Sequence, residues 1–108
     1  MNGGIVTSGP PVGGADNGAI TMKPIGEVRW RDVCAIAGRV RSLRVQPWAN
    51  VPTLEAVVVD ETGGLLLVFL GRRSIAGLDL GRRLVASGRV GQHRGYLAML
   101  NPLFELRS

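Results

Sequence analysis

Five apolar segments, each bounded or interrupted by glycine, restrict this chain to a small all-β fold. They are VCAIAGRVRSLRV (33–45), TLEAVVVDETGG (53–64), GLLLVFLG (64–71), RRLVASGRVGQHRG (82–95) and GYLAMLNPLFEL (95–106). Each is of strand length, and turn-forming residues separate them, so the spacing predicts five short strands closing into a barrel or sandwich. A chain of 108 residues with 45% hydrophobic content supports one core and leaves little room for a second.

Alternation assigns faces. In the first strand Cys34, Ile36, Gly38, Val40 and Ser42 share the inward parity, which leaves Ala35, Ala37, Arg39, Arg41 and Leu43 outside. Gly38 sits in mid-strand, where a missing side chain marks a bulge or tight bend. In the second strand Leu54, Ala56 and Val58 face in, and Glu55, Val57 and Val59 face out. Asp60 then opens a tight hairpin rich in turn formers and bonds the turn backbone. The third strand, 65–70, is apolar at every position, so something must cover its outer face: a helix, a tail or another subunit.

Residues 72–78 suit one helical turn that plugs the end of the fold with Ile75 and Leu78. The fourth strand turns Leu84, Ala86 and Val90 in and Arg83 and Arg89 out, with Gly88 at a bend equivalent to that at Gly38. In the fifth, Leu97 and Met99 face in, and Asn101-Pro102 ends pairing. Upstream, Ile25, Val28 and Trp30 are available to close the bottom of the fold.

Residues 1–22 carry one charged side chain, Asp16, with six glycines and two adjacent prolines, and have no period that buries a face. They read as a disordered tail before a domain at 23–108. Met22 opens the regular part, so one reading starts translation there.

Charge points to the partner. The net charge is +5, and 12 of the 13 basic residues are arginine, whose planar fork grips phosphate through two donors. An arginine-for-lysine bias from GC-rich codons produces the same count. Cys34 is the sole cysteine and lies in an apolar strand, which excludes a disulfide framework and a repeated-ligand metal site. No run approaches the roughly 18 apolar residues of a membrane span, and no signal peptide is evident, so a cytoplasmic protein is expected. No serine, cysteine or carboxylate has a base at motif spacing. The expectation is therefore no enzyme, no cofactor and no metal.

The pieces Val33-x-x-x-x-Gly38-x-Val40, Asp60-x-Thr62-Gly63-x-Leu65-x-Leu67, Gly81-x-x-Leu84-x-x-x-Gly88-x-Val90 and Gly95-x-Leu97-x-Met99-x-Asn101-Pro102 stand in order across residues 30–107. In this arrangement the chain resembles the OB-fold nucleic-acid-binding domains. It is similar in particular to the OB (wedge-type) domain of RecG-like helicases and to small stand-alone actinobacterial OB proteins. No Gly-x-x-x-x-Gly-Lys phosphate loop accompanies it, so no helicase motor is present. The resemblance implies a five-stranded Greek-key barrel that binds a nucleic-acid strand across the outer face of strands 2 and 3, flanked by the loops between strands 1 and 2 and between strands 4 and 5.

The first of those loops, taken as 44–52, holds Trp48 among prolines, where an indole either stacks on a base or folds back onto the barrel. The second holds His93 and Arg94 beside outward Tyr96, joining hydrogen bonding, charge and a stacking ring; a solvent-exposed turn histidine is the plainer role for His93. With Arg39, Arg41, Arg44, Arg83 and Arg89 these make the candidate nucleic-acid-binding set, DNA or RNA, with single-stranded or structured DNA favoured. The strand 2–3 face itself presents Glu55, Val57, Val59, Leu66 and Val68 rather than aromatic and basic residues. The alternative is therefore a protein-interaction module that dimerises or docks through Val57, Val59, Leu66 and Val68.

Overall fold

Strand-forming residues in period-two alternation fold here into β-structure almost throughout. A computed structural model of the chain describes residues 20–108. The elements in order are a 3₁₀ turn η1 (Ile25–Glu27), then β1 (Val33–Trp48), β2 (Val51–Asp60), β3 (Gly63–Leu70), β4 (Arg83–His93), β5 (Tyr96–Leu100) and β6 (Leu103–Arg107). Five strands pair in the order β1-β2-β3-β5-β4, and a further β4–β1 pairing closes them into a ring. All pairs are antiparallel except β3 with β5.

Inside the ring lie Cys34, Ile36, Val40, Leu54, Ala56, Val58, Leu65, Leu67, Phe69, Leu84, Ala86, Val90 and Met99, all buried. The alternation assigned each of these inward except Leu65, Leu67 and Phe69, which lie in the wholly apolar third strand. Each of the larger aliphatic side chains contributes about 2 kcal/mol by leaving water. Cys34 is fully buried, and that burial raises its thiol pKa, so it acts as a small hydrophobe.

β1 serves both halves of the ring, pairing with β4 over Val33–Arg39 and with β2 over Arg39–Trp48. The bend that permits this is a bulge between Val40 and Ser42, centred on Arg41 rather than on Gly38. The unpaired residue reverses the parity beyond it. Ser42 therefore opposes Val57 on the outer face, while Leu43 opposes Ala56 and packs against the core, the reverse of the expectation. Gly38 has another cause: a Cβ there would stand 2.5 Å from the Val59 carbonyl oxygen. Gly88 is not its equivalent, because a Cβ there meets nothing nearer than 3.8 Å.

Two further expectations are corrected. Pairing does not end at Asn101-Pro102. Asn101 takes φ 48°, its N–H donates to the Val68 carbonyl at 2.7 Å, and its Oδ1 accepts the Leu70 N–H at 3.0 Å. The chain so reversed forms β6 against β4, where Phe104 packs edge-on to Phe69 at 5.4 Å. Between β3 and β4 there is no helical turn. Two i to i+3 turns, Leu78 N–H to Ile75 O and Arg82 N–H to Asp79 O, carry the chain instead, and Gly77 and Gly81 take positive φ values that break a right-handed helix. Leu78 is nevertheless buried and Ile75 packs on the core, as the plug requires.

Ile25 and Val28 are buried and both join the core, whereas Trp30 is 56% exposed with the Arg31 guanidinium 4.6 Å above its ring. Thr21 and Lys23 bond the backbone of Ala35, so ordered contacts reach back to Thr21. The rest of the expected tail, residues 1–19, lies outside the described residues.

Asp60 ties η1 to the β2–β3 hairpin. Its Oδ2 accepts the Ile25 N–H at 3.0 Å, and its Oδ1 accepts the Thr62 N–H at 2.7 Å, the Thr62 hydroxyl at 2.6 Å and the Gly63 N–H at 3.0 Å. Desolvation raises its pKa, but those four donors together outweigh it and hold the carboxyl at about 2, below the usual 3.8. A folded pKa below the unfolded one means stability that is present above pH 3.8 and lost as pH falls through about 2. An Asp60→Ala variant should lose about 2 kcal/mol at neutral pH. The gap between variant and parent should narrow across that acid window in urea titrations; a gap independent of pH would contradict this account.

Candidate nucleic-acid interface

Two hairpin tips face each other across the outer sheet. Both are two-residue turns with left-handed backbone, Ala49–Asn50 (φ 53° and 66°) and Arg94–Gly95 (φ 55° and 86°). The long loops expected at 44–52 and 92–95 are thus mostly strand, and Trp48 and His93 are the last residues of β1 and β4.

Glu55 joins the tips. It points outward from β2, as its parity requires, yet is 5% exposed. Its Oε2 accepts a hydrogen bond from His93 Nε2 at 3.0 Å and another from Arg94 Nε at 3.1 Å. Arg94 also donates through Nη2 to the Pro47 carbonyl at 3.2 Å, which reaches the other tip directly. The Trp48 ring stands edge-on to His93 with centroids 5.2 Å apart. A carboxylate accepts only, so the His93 Nε2 carries the hydrogen. Arg94 holds a backbone conformation unusual for a side-chain-bearing residue, and these bonds are what hold it there.

The candidate residues therefore separate. His93 is 7% exposed, not a solvent-facing loop residue, and it props Trp48 rather than facing outward. Arg94 is committed to Glu55 and Pro47. Trp48 keeps 44% of its surface exposed and Tyr96, opposite His93, keeps 69%. Arg44 is exposed and directly opposes Glu55 on β1, and Arg41 stands out at the bulge. Arg89 is exposed on β4, where it borders a groove of about 270 Å³ walled on another side by Trp48 and His93, with Val68, Gly91 and Ala98 among its lining. Nothing lies within 4 Å of where a Gly91 Cβ would be, so that position is open. Arg39 and Arg83 are not part of this cluster. They oppose each other on β1 and β4, at the other end of their pairing from Val33 and Arg89.

The apolar strip is smaller than alternation implies. Val68 is fully buried, and Val57, Val59 and Leu66 are half-buried. On the outer face of β3, Val68 is buried and shares a groove wall with Trp48 and His93, while Leu66 stays half-buried. Sequence reasoning missed Glu55 as the centre of the cluster, and also Arg107. An acidic residue at an outward position carries no signal of burial when the covering groups come from 38 and 39 residues along the chain.

No family model and no curated protein matches the chain. Among solved structures it is similar to the solution NMR structure of the OB domain of Ta0387 from Thermoplasma acidophilum, with a TM-score of 0.64 and 14% identity over 82% of this chain and 88% of that one. The likeness is one of fold: an all-β domain whose ring of five strands is of the OB type. No helix among the described residues is long and apolar enough to cross a membrane.

Proposed function

We propose that the chain is a non-catalytic nucleic-acid-binding module, a Greek-key OB barrel at 23–108 of the kind in RecG-like helicases and small actinobacterial proteins. It acts in the cytoplasm on single-stranded or structured DNA. The observation that carries this reading is the groove between Trp48 and Arg89. An exposed indole, held upright by His93, and a guanidinium border one small cavity of about 270 Å³, with room for a nucleobase. A base stacked on Trp48 places its neighbouring phosphate toward Arg89, with Arg44, Arg41 and Tyr96 exposed nearby on the same strands or the adjoining tip. His93 and Arg94 act by fixing Trp48 and the two tips, not by contacting the ligand. The docking reading has less support, because Val68 is buried and Val57, Val59 and Leu66 are each half-buried, which leaves a smaller apolar strip than the alternation implies.

Fluorescence anisotropy against single-stranded DNA, RNA, duplex and a branched junction tests this across a salt series. Trp48→Ala should weaken binding by about tenfold or more, the scale of one lost base stack. Three engaged arginines, Arg41, Arg44 and Arg89, give a log–log salt slope of about −2, and Arg89→Ala should make it shallower by about 0.7. Absence of saturable binding to every ligand at low salt would end the proposal.

A further inference from the structure

A second basic site is built on the other half of β1. Arg39 on β1 is directly opposed by Arg83 on β4, and Arg83 by Arg107 on β6. Opposed residues share a face, and Val40, Leu84 and Leu106 pack inward, so all three guanidinium groups leave the outer surface as one row. Like charges directly opposed across strands destabilise a sheet. Among the described residues no carboxylate lies within 4 Å of Arg39 or Arg83, and Arg107 pairs only with exposed Glu105 at 3.0 Å. Such an exposed pair is weak and readily exchanged.

The row borders a groove of about 690 Å³, which shares no lining residue with the Trp48 groove. Ala37 and Val85 present small side chains beside the row, and Arg82 Nε donates to the Arg107 carbonyl at 2.8 Å, pinning the end of β6. Two side-chain carboxylates, Asp60 and Glu61, also line it. Both Asp60 oxygens already accept Ile25, Thr62 and Gly63 donors, and Asp60 makes no ion pair within 4 Å of an arginine, so its charge lies beside the row without capping any one guanidinium.

We propose that Arg39, Arg83 and Arg107 form a second phosphate-binding groove, separate from the Trp48 site, that takes consecutive phosphates. Across three strands the row spans about 10 Å, long for one phosphate and suited to a run of them. Such a run belongs either to a nucleic-acid backbone or to a free polyphosphate. Only the first source rests on the nucleic-acid reading.

The test uses the full chain and an Arg39→Gln/Arg83→Gln double variant. Without ligand the variant should melt no lower than the parent, since a like-charge contact is gone. Inorganic tripolyphosphate should raise the parent melting temperature by about 4 °C or more and leave the variant nearly unmoved. If the source is a nucleic-acid backbone, the salt slope for single-stranded DNA also becomes shallower by about 1.4 in the variant. An unchanged slope together with lost tripolyphosphate stabilisation assigns the groove to free polyphosphate. A variant that keeps both the stabilisation and the slope overturns the proposal. Trp48→Ala reports on the other groove, so failure of one site is distinguishable from failure of the other.

Discussion

Replacing Glu55 by alanine should cost about 3 kcal/mol, the largest loss expected from any single polar substitution in this domain. The carboxylate is 5% exposed and is the shared acceptor of His93 and Arg94. Its removal leaves a buried imidazole N–H without a partner and frees Arg94 from the bond that holds its left-handed turn. The two hairpin tips then keep only the Arg94 to Pro47 contact and the edge of Trp48 on His93. Urea unfolding should show a lower midpoint at unchanged m. Trp48 emission should shift toward that of a solvated indole in the folded variant. Glu55→Gln keeps one acceptor oxygen and should lose about 1 kcal/mol. If alanine and glutamine cost the same small amount, the carboxylate does not fasten the tips.

Gly38→Ala should be of similar size, about 3 kcal/mol, while Gly88→Ala should be neutral within about 0.5 kcal/mol. The first added methyl would sit 2.5 Å from the Val59 carbonyl oxygen and 2.8 Å from Val58 Cγ1, and the nearer of these belongs to backbone that cannot rotate away. The second meets only Pro102 and the Met99 sulfur, at 3.8 Å and beyond. Both glycines precede an Arg-Val pair and look alike in the sequence. The comparison by thermal melting isolates close strand approach from any general intolerance of side chains in these strands. Equal losses at the two positions would refute the assignment.

Much of the ring was readable from alternation, because which face a strand residue takes is a local property of period two. Ile36, Leu54, Ala56, Val58, Leu67, Leu84 and Met99 are inside, where alternation or the apolar run permits it. The Asp60 hairpin was readable too, since an aspartate two and three residues before backbone N–H groups is a local device. Alternation failed at Ser42 and Leu43, where one unpaired residue at Arg41 reversed it, and the bulge is visible only once β2 is laid alongside. It also stopped short of β6, whose place depends on the Asn101 side chain bonding Leu70, 31 residues away.

The candidate site was less legible. Trp48 was named as a loop indole among prolines, Tyr96 and Arg89 from their outward parity, and all three are exposed. His93 and Arg94 were named as residues of the loop after the fourth strand, yet one is buried and the other is bonded to Glu55. The arginines were grouped as one basic surface. Pairing register divides them, sending Arg39 and Arg83 to meet Arg107 and leaving Arg89 beside Trp48.

The order of residues alone determined the all-β class, most of the side chains that form the interior, the Asp60 hairpin, and that nearly all the basic residues are arginine. Those properties follow from propensity and period, which act within a few residues. Tertiary structure decided where β1 bends, that a sixth strand forms, that Glu55 is an anchor rather than a surface charge, and that the basic residues make two grooves. Each of these depends on the register between strands remote in sequence, and the free energy that selects a register is shared among all the pairs it creates.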